Sequence, residues 1–182
     1  MVRLTCLLAL LAAPAMADCF AFGVPNIVRF DQGGDVRILS STARDITFST
    51  TTPDGTPVTT TLRFGLFPIA RTDHGVTLRY DWQSDLPNPR KMTAGSPVTL
   101  DADVSVEHAA RQHFQMAVQL LRDAVITLDD CPYKVRVIAT TERLNGQITG
   151  QRTEWLEPDL MFPLRSNVVK PAPATILVTG LE

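Results

Sequence analysis

Cysteine is scarce in this chain. There are three in 182 residues, Cys6, Cys19 and Cys131, and no two stand in Cys-x-x-Cys spacing, which removes the common redox and zinc motifs. Histidine is equally thin. His74 is read in a turn, and His108 and His113 would point about 140° apart on a helix, so one metal cannot take both. No Gly-x-Ser-x-Gly elbow, phosphate loop or dinucleotide fingerprint is present. Past residue 17 no apolar run approaches the length of a membrane helix, so no transmembrane anchor is expected. Charge of one sign is also missing. Without Arg3 there are 16 basic against 19 acidic residues, a net charge of −3, interspersed and without a basic stripe. That argues against nucleic acid as a partner. These absences leave no catalytic residues, no metal ligands and no cofactor to assign.

What is there begins with a leader. Arg3 supplies a basic start, Leu4 to Leu11 an apolar core broken only by Thr5 and Cys6, and Ala15-Met16-Ala17 a small-x-small cleavage signature after Pro14. Residues 1–17 read as a cleaved secretory signal peptide, and 18–182 as a single domain. Cys19 follows Asp18, a charge that fits poorly at a lipoprotein cleavage bond, so Cys19 is read as unlipidated. Cys19 and Cys131 then form an even pair in an exported protein, and a disulfide between them is expected. The location implied is periplasmic or secreted.

Most of the mature chain alternates with the period of a strand. Ile46 and Phe48 run into a Pro53-Asp54-Gly55 turn, and Val58, Thr60, Leu62 and Phe64 return from it. Val76, Leu78, Tyr80 and Trp82 share one face after the Asp73-His74-Gly75 turn. A proline-rich loop through Pro87, Pro89 and Pro97 holds no strand. Tyr133 to Thr140, Gln147 to about Leu156 across an Asn145-Gly146 turn, Leu164 to Val169 and Thr175 to Thr179 complete the later strands. Ile27–Phe30 and Val36–Leu39 are strand candidates near the start.

One segment reads differently. At 100° per residue, Val106, Ala109, Ala110, His113, Phe114, Ala117, Leu120, Leu121 and Ala124 fall on one face, with only Val118 misplaced. That predicts one long amphipathic helix over residues 105–125, capped by Ser105. The fold expected is therefore α+β: a curved antiparallel sheet of about 6–9 strands, curling toward a partial barrel, packed on that helix. Asp101, Asp103 and Glu107 begin like a calcium loop, but Val106 and Gln112 occupy the positions that need Gly and Glu, so an acidic helix N-terminus is the reading preferred.

His113, on the helix's apolar face, is expected in the core, with a catalytic base as the sharper alternative. Tyr80, Trp82, Phe114, Tyr133 and Trp155 would line an apolar pocket with it if they converge on the concave side of the sheet, and are core otherwise.

The stretch Glu142-Arg143-Leu144-Asn145-Gly146, the Trp155-x-x-Pro158-x-Leu160 turn and Phe162-Pro163-Leu164-Arg165 resemble the C-terminal hairpin of exported bacterial β-sheet proteins of unknown function. The resemblance covers about a quarter of the mature chain and implies a curved sheet and an envelope location. It carries no activity. The expectation is a periplasmic, non-enzymatic binding or interaction protein whose partner is an envelope protein or an apolar small molecule. Alternatives are a carrier for lipid or lipoprotein acyl chains, a small envelope enzyme using His113, and a structural partner offering a sheet edge.

Overall fold

A computed structural model describes residues 25–182 except Pro53, Glu107 and His108. The expected leader, its cleavage site and Cys19 lie outside the described residues. Twelve strands follow one another: β1 (Ile27–Phe30), β2 (Asp35–Ser41), β3 (Asp45–Thr51), β4 (Pro57–Arg63), β5 (Phe67–Asp73), β6 (Val76–Trp82), β7 (Val98–Val106), β8 (Gln112–Leu128), β9 (Cys131–Leu144), β10 (Gln147–Glu157), β11 (Phe162–Lys170) and β12 (Ala174–Leu181). Each pairs antiparallel with the next, and β12 returns to β1, so the sheet closes into a barrel. The seam pairs Val28 with Leu181 and is braced by Arg29 on Glu182 at 2.9 Å.

The α+β expectation is overturned. Among the described residues the only helical element is a 3₁₀ turn at Pro89–Lys91, in the proline-rich loop. The segment expected as a helix takes in the end of β7 and most of β8. Val118 shows why. It was the one residue out of place on a helical wheel, yet it is fully buried with Phe114, Met116 and Leu120, while His113, Gln115, Ala117 and Gln119 alternate with them. Period two accounts for all eight residues; the helical period needs the adjacent pairs His113–Phe114 and Leu120–Leu121 on one side. Backbone pairing with β7 on one flank and β9 on the other then satisfies the amides that a helix would have bonded internally. The acidic run falls in β7, where Ala102 and Val104 are buried and Asp101 and Asp103 face outward. It is neither a helix start nor a calcium loop. β5 had no clear signal of its own.

Each strand has two neighbours in the closed sheet, so the open sheet edge expected of a structural partner is confined to stretches where one strand outruns another. The distal half of β8 is the longest run beyond a ladder: β7 reaches only Val118, while β9 pairs on to Leu128. At about 3.3 Å per residue β8 spans roughly 55 Å, longer than its neighbours on the β7 side.

The apolar residues form two clusters. One gathers Leu66, Phe67, Leu100, Phe114, Met116, Val118, Leu120, Ile138 and Leu156. The other gathers Val28, Val36, Ile46, Val135, Leu160, Met161, Phe162, Leu164 and Val178. The long strands serve both, and bulges interrupt the ladder at Leu120/Arg122 on β8 and, opposite Trp155/Leu156, at Leu164 on β11. The outer surface of β7 and β8 carries Asp101, Asp103, Arg111 and His113. That is the reverse of the outward apolar band of a membrane-spanning barrel. No helix among the described residues is long and apolar enough to cross a membrane.

Because hairpins alternate, the barrel has two dissimilar ends. The turns after β1, β3, β5, β7, β9 and β11 lie at one, the upper end; the remaining links and the chain's seam lie at the other.

Candidate functional site

The expected aromatic group divides between the clusters. Tyr80 and Trp82 stand two apart on β6, so both point inward, and the β6–β7–β8 register carries them to Phe114 through Ala102 and Val104. Tyr80 meets Phe114 edge-on at 5.1 Å, Trp82 meets it at 5.8 Å, and Phe67 closes the row on Trp82 at 5.8 Å. Edge-to-face contact aligns the ring quadrupoles. The Trp82 indole donates to the Pro68 carbonyl at 2.9 Å, which fixes its plane. Tyr133 and Trp155 pack in the second cluster instead, where the Arg165 guanidinium lies 4.4 Å from the Trp155 ring centroid. They do not join Tyr80 and Trp82.

His113 is in neither. It lies on the outer surface with its side chain about half exposed, 3.2 Å from Asp101, which also accepts from Gln115 at 2.9 Å. The reading of His113 as a core or pocket residue fell with the helix: a strand sends His113 and Phe114 to opposite faces. Cys131 is buried. Cys19, the partner expected for Cys131, lies outside the described residues. No group of three His, Cys, Asp or Glu among the described residues could hold a metal ion.

Tyr80 and Trp82 also line a groove of about 590 Å³ with Arg63, Ile69, Asp81 and Leu86. The Arg63 guanidinium is occupied, donating to both Asp45 carboxylate oxygens at 2.9 and 3.3 Å. The charge left in the groove is that of Asp81 and Asp85. It therefore offers two half-buried aromatic rings and an acidic rim.

Behind Tyr80 stands a second feature. Where apolar side chains would complete the inward rows of β9 and β10, the chain places Thr140 and Glu142 on one and Arg152 and Glu154 on the other. Thr140 faces Arg152 and Glu142 faces Gly150 across the ladder. Arg152 lies 2.9 Å from Glu142 and 3.0 Å from Glu154. Gly150 leaves room here, since a β-carbon would press on the Glu142 carboxylate and make it shift. Burial pushes the Glu154 carboxyl up, with Arg152 opposing. Burial likewise raises the Tyr80 phenol, and Glu142 adds to it while Arg71 and Arg152 oppose. Tyr80 thus joins the groove to a buried charge ladder. Sequence reasoning missed the ladder. Thr140 and Glu142 continue the row of Lys134 and Arg136, which reads as the polar face of β9, so local alternation gave no signal that they point inward.

No protein-family model matches the chain, and no curated protein matches it. Among solved structures it is similar to the crystal structure of the hypothetical lipoprotein YmcC from Escherichia coli (K12), at 13% identity over 87% of this chain and 89% of that one, with a TM-score of 0.53. At that identity the likeness shows the fold alone.

Proposed function

We propose that this protein is a non-enzymatic binding protein of the bacterial cell envelope, periplasmic or secreted, that takes a small amphiphilic ligand into the groove beside Tyr80 and Trp82. The observation that carries this reading is the groove itself: partly exposed aromatic faces, fixed by stacking and by the indole hydrogen bond, beside uncompensated carboxylates. Such a surface suits a ligand with an apolar body and a cationic or hydrogen-bond-donating group. The leader-like start of the sequence and the word lipoprotein in the name of the structural neighbour support the envelope location.

The test uses tryptophan emission. The chain has two tryptophans, so Trp155→Phe leaves Trp82 as the reporter. Dodecylamine should quench or shift it saturably, and Asp81→Asn with Asp85→Asn should weaken that response. No saturable response to the amine would overturn the amphiphile reading. A second reading, a carrier for an apolar ligand such as an acyl chain, is favoured by Ile69 and Leu86 beside Trp82. It predicts that dodecanoate binds as tightly as the amine and that native mass spectrometry of gently extracted protein shows a bound lipid.

A further inference from the structure

At the upper end, two neighbouring hairpin tips meet through one side chain. β4 and β5 share a ladder only as far as Thr59 opposite Thr72. Beyond it the β3–β4 tip and the β5–β6 tip have separate backbones. His74, at φ +48° in the second tip, spans the gap. Its Nδ1 lies 2.6 Å from Asp73 and its Nε2 lies 3.1 Å from Asp54 in the first tip. Asp54 is held in place by the Thr52 hydroxyl and by the Thr56 amide at 3.1 Å. Asp73 is shared with Arg71 at 3.3 Å.

Both ring nitrogens therefore face a carboxylate. A neutral imidazole carries one N–H and one lone pair, so it can satisfy only one of these contacts, and the other sets lone pair against carboxylate. The imidazolium donates to both. The carboxylates sit against opposite ring nitrogens and do not converge on one, so the trio lacks the geometry of a metal site. We propose that Asp54, His74 and Asp73 form a proton-operated latch between the two hairpin tips, closed while the imidazole carries both protons and released when it loses one. The charged groups that face the ring are Asp73 and Asp54, with Arg71 behind Asp73. The electrostatics agree in direction. The ring's pKa is raised, by Asp73 first and then Asp54, and Asp54 is drawn down to about 2 by Thr52, Thr56 and His74. A raised folded-state value means that the latch contributes fully below the ordinary imidazole value of 6.5 and is lost as pH rises through the elevated one. Arg71 also acts on the Tyr80 phenol, so the latch stands one ion pair from the interior ladder.

The experiment is a nuclear magnetic resonance titration of the intact folded protein from about pH 5 to about pH 9. It follows the His74 ring nitrogens and the amides of Gly55 and Thr56 in the opposite tip. Both amides should move with the midpoint of His74. Asp54→Asn and, separately, Asp73→Asn should each lower that midpoint, and His74→Gln should abolish the step at Gly55 and Thr56. Asp73→Asn leaves the β3–β4 turn bonds untouched, so it keeps the test valid if Asp54→Asn disturbs its turn. An unchanged midpoint in both carboxylate variants would overturn the latch. So would Gly55 and Thr56 amides that stay still while His74 titrates.

Discussion

The two ends of this barrel solve the problem of termination in opposite ways. The lower end is sealed with apolar residues. The turn at Phe64–Leu66 presses against the turn that ends at Met161, and Leu66, Phe67, Leu160, Met161 and Phe162 are all buried. Gly65, at φ +70°, sits so close to the Met161 carbonyl that no side chain fits. Glu157 is pushed up by burial there, and its carboxylate accepts from the Leu160 amide at 2.5 Å. The upper half instead buries ionisable groups on β9 and β10 and ties its tips with the His74 contacts. Apolar packing is insensitive to pH and tolerates no loss of shape. A buried ion cluster tolerates some change of shape but is sensitive to charge. One end should therefore fail by clash or cavity, the other by unpaired charge.

Breaking the charge ladder should have the largest effect. Arg152→Met leaves Glu142 and Glu154 facing each other without a counter-ion, at a cost of about 4 kcal/mol by denaturant unfolding near neutral pH. A cost below about 1 kcal/mol would mean that the ladder is effectively solvated. Gly65→Ala attacks the other end and should cost about 3 kcal/mol, through clash and the left-handed backbone together. Its loss should be the same at pH 5 and pH 7, unlike that of Arg152→Met.

Glu154 sharpens the contrast. Its folded-state pKa is raised, so wild-type stability is fullest below the ordinary carboxylate value of 4.5 and declines as pH rises toward the elevated value. Glu154→Gln cannot lose that proton. Its stability curve should run flatter across this interval, so that the variant gains on the wild type as pH rises. Parallel curves would show that Glu154 titrates normally. The smallest effect is expected at Val125 on the distal half of β8, which is 61% exposed. Val125→Thr should stay within about 0.5 kcal/mol.

Much of the strand pattern was legible because alternation is local. The Asp54-Gly55 and Asn145-Gly146 turns and the one-faced row Val76, Leu78, Tyr80 and Trp82 need only neighbouring residues to be read. β8 was misread because its first half satisfies two periods on all but one residue, and the helical reading discounted Val118. The site was legible in part. Tyr80, Trp82 and Phe114 come together, whereas Tyr133 and Trp155 fall in the other cluster because they stand on the opposite face of β9 and β10 from Ile138 and Leu156. Alternation tells which residues share a face, and only the packed sheet tells which cluster that face meets.

The sequence by itself determined the turns, the alternation and so the inward-facing rows, because a chain's local backbone preferences and its two-residue strand period are carried by adjacent residues. Only the tertiary structure decided that the sheet closes, that β8 is a strand, and that Glu142, Arg152 and Glu154 share one interior. Pairing free energy is realised between segments distant in the chain, and a residue's face acquires an inside only when β12 meets β1.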